Sequence, residues 1–145
     1  MSANTEADIR RIYERWHTTV KERDLEGTVA LYAETAIMET PLALVVLENQ
    51  STGILKGKAE IRSFFELGAH KLANTSARWY RTGTFFSNGK QLTWEYPRAT
   101  PDGDQVDLVE VMDIADGLIV NHRVYWGWFG VKVLLNAARG DAKSR

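Results

Sequence analysis

Apolar positions along the chain recur first at helical spacing and later in alternation, and the change of period divides it into two halves. Ile9, Ile12, Tyr13, Trp16 and Val20 fall three and four residues apart, which predicts an amphipathic helix reaching Glu22. Thr5, followed three residues later by Asp8, has the spacing of a capping box at its start. Asp24 is placed to cap a second, short helix carrying Val29, Leu31 and Tyr32, which ends before Thr35 as the chain turns β-branched. Ala36 to Thr40 then reads as a short strand, stopped by Pro41. Between Leu42 and Leu55 an apolar run is broken by Glu48, Asn49, Gln50 and Gly53 and fits no single period. Gly57 opens a third helix with Ile61, Phe64, Phe65, Gly68 and Leu72 on one stripe.

From Thr75 onward the period becomes two. Asn88-Gly89, Asp102-Gly103 and Asp116-Gly117 are hairpin signals that cut the remainder into four antiparallel strands. Helices followed by a meander, with no alternating β-α units and no internal repeat, make an α+β layer arrangement with helices covering one sheet face. The last strands are apolar on both faces, Val109 and Val111 on one, Leu108, Met112 and Ile114 on the other. A homodimer through the outer sheet face is therefore expected.

Hairpin register decides which polar side chains meet, because a slip of one residue sends every side chain to the other face. Two-residue loops at Asn88-Gly89 and Asp102-Gly103 would set Glu95 opposite Glu110, with Thr82, Thr84, Phe86, Thr93 and Met112 on their face. Trp94, Tyr96 and Arg98 would then point outward, as suits a subunit interface. A three-residue loop at Ala115-Asp116-Gly117 would bring Glu110 opposite His122, whereas a two-residue loop would separate them. The alternating set Val120, His122, Val124, Trp126 and Trp128 favours an inward His122. A buried carboxyl beside an imidazole shares a proton and suits general acid and base work, and a second carboxyl at Glu95 would sharpen that. The same pair equally serves as a satisfied interior contact that fixes register.

Composition narrows the classes. At 145 residues and 44% hydrophobic content the chain is one domain, 1–145, with a polar tail from about 137 to 145 expected to be mobile. Basic and acidic residues number 18 and 19 without clustering, so nucleic acid is not an expected partner. No stretch has the length of a membrane span or the pattern of a signal peptide, and with no cysteines a cytoplasmic location is expected. Five tryptophans are the one excess. Trp16, Tyr32, Phe64, Phe65, Trp94, Tyr96 and Trp126 line either a pocket for a small apolar molecule or an ordinary core. His17, His70 and His122 lack ligand spacing, so no metal is expected, and His17 and His70 sit beside charged residues as on a solvated face. No phosphate loop, dinucleotide fingerprint or nucleophile elbow is present, so any chemistry is expected to need no cofactor.

The segments Asp24-Leu-Glu-Gly-Thr-Val-Ala-Leu-Tyr-Ala33, Ala36-Ile-Met-Glu-Thr-Pro41 and Gly57-Lys-Ala-Glu-Ile-Arg-Ser-Phe-Phe65 resemble the amino-terminal half of ketosteroid isomerases and SnoaL-like polyketide cyclases. Glu110 to Tyr125 is similar to the last hairpin of the same nuclear transport factor 2-like superfamily. The resemblance implies a cone-shaped, cystatin-like α+β fold, three amino-terminal helices packed on a curved, mainly antiparallel sheet. It puts Glu110 where ketosteroid isomerases hold an oxyanion-stabilising acid, Trp16 where they hold a hydrogen-bonding tyrosine, and Thr40, beside Glu39, where they hold a general base. Met112 joins the ligand-contacting set. The implied function is binding of a small apolar molecule with cofactor-independent isomerase, cyclase or hydratase chemistry. The alternative from the same superfamily is a noncatalytic dimeric ligand-binding or protein-interaction domain.

Overall fold

The computed structural model describes residues 6–71, 83–101 and 103–139. The capping residue expected at Thr5, and Thr75 and Thr82, lie outside the described residues. Helix α1, Glu6–Glu22, buries Ile9, Ile12, Tyr13 and Trp16 of the expected stripe, with Val20 partly buried, and adds His17 and Thr19. Asp24 caps α2, Leu25–Val29, by accepting the Gly27 N–H at 2.9 Å.

Strand β1, Tyr32–Glu39, begins four residues earlier than the pattern predicted. The Leu31 N–H closes on Thr28 O and ends the helix, which releases Tyr32 into the sheet beside Ile119. The Leu42 to Leu55 stretch resolves into α3, Ala43–Val46, a loop, and β2, Ile54–Lys56, so its mixed signal came from two short elements of different type. Helix α4, Lys58–Lys71, follows Gly57, whose φ of +86° suits only a residue without a side chain. Glu60 reaches back to the Lys56 N–H at 2.7 Å and fixes the entry to that helix.

The remaining strands are β3, Phe86–Ser87, β4, Gln91–Tyr96, β5, Ala99–Thr100, β6, Gly103–Asp104, β7, Leu108–Ala115, and β8, Leu118–Trp126. Of the eight described strands, six form one sheet in the order β2-β1-β8-β7-β4-β3, antiparallel except between β1 and β8, while β5 and β6 form a separate two-stranded ribbon. The sheet is curved, and helices pack on it. Ile9, Ile12, Trp16, Met38, Ile61, Phe64, Leu92, Trp94, Met112 and Ile119 make one continuous core between them. No described helix is long and apolar enough to cross a membrane.

A fifth helix was not expected. The alternation of Val120 to Trp128 continues as a strand only to Trp126; Trp128–Ala138 is α5, so residues 137 and 138 are helical rather than the start of a loose tail. Trp128 therefore leaves the sheet face and is 72% exposed. Asp107 makes the junction: its backbone carbonyl accepts the Gly127 N–H and its Oδ1 accepts the Gly130 N–H, both at 2.8 Å. That carboxylate caps a helix whose own preceding residue, Gly127, has no side chain to do so.

Candidate functional site

The site is assembled by three strands and one helix. On β7, Glu110 shares the inward face with Leu108, Met112 and Ile114, all buried. The β7–β8 hairpin turns through Asp116-Gly117, with φ of +50° and +72° and Ala115 paired to Leu118, so the two-residue loop is the one formed. Left alone, that register would put His122 outside. The ladder instead shifts by one between Asp113 and Ile114, leaving Val120 as an extra residue, and beyond it Met112 pairs with His122 and Glu110 with Val124. His122 is thus inward, as expected, but a bulge and not a longer turn puts it there.

Three side chains then form a line. Tyr32, from the first residue of β1, places its hydroxyl 2.7 Å from His122 Nδ1. His122 Nε2 is hydrogen-bonded to Glu110 Oε2. Tyr32 and His122 are fully buried, while Glu110 keeps 5% exposure. Glu110 Oε1 makes no hydrogen bond to another described residue. Burial raises the Tyr32 phenol far above its ordinary value, and the Glu110 charge adds to it. The Trp16 ring also meets the His122 ring edge-on, centroids 6.1 Å apart at 86°.

His17 belongs to the same interior, contrary to the solvated face expected of it. It is 6% exposed and sits among Tyr13, Trp16, Trp94 and Tyr96, with ring centroids 4.2 to 6.4 Å away. Its Nδ1 lies 2.8 Å from the Tyr13 carbonyl. Burial lowers its pKa, against which the Tyr13 carbonyl and the Glu110 charge pull upward. The signal was available: His17 lies four residues after Tyr13, on the buried stripe of α1.

Glu95 does not join the site. The ribbon closes with Thr100 paired to Gly103, one residue earlier than the glycine suggested, because proline suits the first central turn position and lacks the N–H a strand needs. On the main ladder Glu95 falls opposite Val109 and is exposed; Trp94 takes the inward place opposite Glu110. Trp94 and Tyr96 are each 2% exposed, so neither is an outward interface residue. Thr93 points outward with Val111, and Phe86 is 72% exposed.

The other expected contacts lie in or against the core. Phe64 is buried, Phe65 and Trp126 pack against the core half-buried, and Met112 is fully buried beside His122. Thr40 is buried, but its hydroxyl accepts the Leu42 N–H at 3.3 Å and so serves the turn after β1. The Nε1 donors of Trp16, Trp94 and Trp126 are buried with no hydrogen-bond partner among the described residues. A surface groove of about 480 Å³, lined by Glu6, Ile9, Arg10, Gly83, Phe85, Ser87 and Gly89, contains none of these residues. No group of three metal-ligating side chains occurs among the described residues.

Helices cupped in a curved, mostly antiparallel sheet define the cystatin-like α+β class of the nuclear transport factor 2-like superfamily. Within it, residues 13–122 match the SnoaL-like domain, and the chain belongs to that family. A candidate isomerase from Bacillus subtilis superposes with a TM-score of 0.65 at 19% identity, covering 90% of this chain and 94% of that one. A protein of unknown function with cystatin-like fold from Methylobium petroleophilum PM1 gives 0.64 at 14%, covering 87% and 80%. A candidate ketosteroid isomerase from Kribbella flavida DSM 17836 gives 0.54 at 18%, covering 87% and 82%. At these identities the likeness is one of fold. No curated protein matches the chain.

Proposed function

We propose that the chain binds a small apolar molecule bearing a carbonyl oxygen against the concave sheet face and moves a proton on it without a cofactor, as an isomerase-type enzyme. The observation that carries this reading is the buried line Tyr32–His122–Glu110, which ends on a carboxylate oxygen that no described residue occupies. Glu110 is the proton-transferring group, and His122 and Tyr32 hold it from behind. Trp94, inward on the neighbouring strand with an unpartnered indole N–H, is suited to donate to the ligand oxygen. Trp16 and Phe64 supply apolar surface. The isomerase-like neighbours agree with this class of chemistry.

The test is deuterium uptake from D2O at carbons beside the carbonyl in a panel of small cyclic ketones, followed by NMR. Glu110→Gln should slow exchange by about 10²-fold or more while ligand affinity changes little, since an amide accepts hydrogen bonds but not protons. Glu95→Gln should match the wild type. Exchange undiminished in Glu110→Gln would contradict the reading. A second reading draws on the complete burial of His122 and Tyr32: a noncatalytic ligand-binding domain in which the line only fixes strand register. Wild-type binding with no exchange above buffer would favour it.

A further inference from the structure

We propose that Tyr32 is a positioning residue that holds His122 as the tautomer protonated on Nε2, leaving Glu110 as the proton acceptor at the end of the line. The inference follows from donor and acceptor inventories. The Tyr32 hydroxyl is fully buried, and its hydrogen-bond partner is His122 Nδ1 at 2.7 Å. A buried hydroxyl must place its proton on an acceptor, and the acceptor the geometry offers is His122 Nδ1. Nδ1 must therefore be bare. The ring's one proton then sits on Nε2 and points at Glu110 Oε2. The opposite tautomer, or an imidazolium, would aim Nδ1–H at the Tyr32 oxygen and leave a buried O–H with nowhere to go.

The groups around the ring agree. Glu110 faces it from β7, Tyr32 from β1 and uncharged Trp16 from α1, with His17 near Glu110 on the same helix. Arg123, the next residue on β8, turns to the other face and is held by Asp113 at 2.7 and 2.9 Å, so its charge is spent there. Burial keeps the Tyr32 proton in place at neutral pH. Every proton in the line thus points toward Glu110. In the step this permits, a ligand C–H breaks, its proton bonds to Glu110 Oε1, and the electron pair moves onto the ligand's own carbonyl; return of the proton at another carbon completes an isomerisation. The tautomer belongs to the free protein, whereas the acceptor role of Glu110 rests on the proposed function.

The experiment is a long-range ¹H–¹⁵N correlation on uniformly ¹⁵N-labelled protein, with His122 assigned by elimination using His17→Gln and His70→Gln. His122 should show a protonated Nε2 and a bare Nδ1 in the wild type. In Tyr32→Phe the bare nitrogen loses its donor, and its ¹⁵N resonance should move downfield while Nε2, still facing Glu110, keeps its proton. Glu110→Gln still offers an oxygen to Nε2–H and should leave the tautomer as it was. A wild-type ring protonated on Nδ1 would overturn the proposal, as would a Tyr32→Phe spectrum identical to wild type. Should Tyr32→Phe fail to fold, the wild-type and Glu110→Gln spectra decide it. Intact tautomerism without ligand proton exchange would count against the proposed function alone.

Discussion

A histidine held uncharged inside a protein ties stability to acid. His17 has its pKa lowered by burial, so the unfolded chain binds the proton more readily than the folded one. Its contribution is complete above the ordinary histidine value of about 6.5 and is lost as pH falls through the folded value. His17→Gln should flatten the decline in stability below about pH 6.5, read from urea midpoints across that range. An unchanged decline would show that another group is responsible. Tyr32→Phe removes the donor to His122 Nδ1 and should cost about 1–3 kcal/mol at pH 7, the range for stranding a buried polar atom. Glu110 and His122 were legible in the sequence, the first through the family resemblance and the second through its place in an apolar alternation. Tyr32 was legible only as an aromatic, because the helix that precedes it obscured its strand position. His17 was missed because charged helical neighbours outweighed its spacing from Tyr13.

At the scale of elements, Val120 decides the site. It is the extra residue that turns His122 inward, and such a bulge leaves no composition signal, so the turn and the alternation gave conflicting readings. Deleting Val120 removes the bulge and joins Ile119, opposite Ile114, directly to Asn121, opposite Asp113, so His122 should stay inward opposite Met112 and keep its bond to Glu110. The long-range ¹H–¹⁵N spectrum of His122 would check this, and loss of its protonated Nε2 signal would mean that the register had slipped instead. A second irregularity acts on β4: the ribbon and the main ladder are offset by one residue, and that offset, not the turn at Pro101, puts Glu95 outward opposite Val109 and Trp94 inward opposite Glu110. Helix α5 was unreadable because its residues are apolar all round, so no stripe separates it from the strand before it. Asp107→Ala removes its cap and should cost about 1 kcal/mol, with faster hydrogen exchange confined to the α5 amides.

For the molecule as a whole, the switch from helical to alternating period and the resemblance together made the α+β cone legible, because both depend on many residues and survive local slips. The outer sheet face carries Ile37, Ile54 and Tyr125 at 37, 38 and 56% exposure, with half-buried Val109 and Val111 on the next strand beside Tyr125. An apolar face of this kind is where a homodimer is proposed to form. Tyr125→Glu should weaken that association by about 2 kcal/mol or more in sedimentation equilibrium. A wild-type monomer at all concentrations would contradict the dimer. The central claim is that Glu110 ends a polar line at the place where a ligand reacts. A crystal structure with a small cyclic β,γ-unsaturated ketone tests it most directly. The ligand's acidic carbon should lie about 3–3.5 Å from Glu110 Oε1 with its carbonyl near Trp94; a ketone bound only in the groove by Glu6, Arg10 and Phe85, with Glu110 sealed from it, would contradict the account.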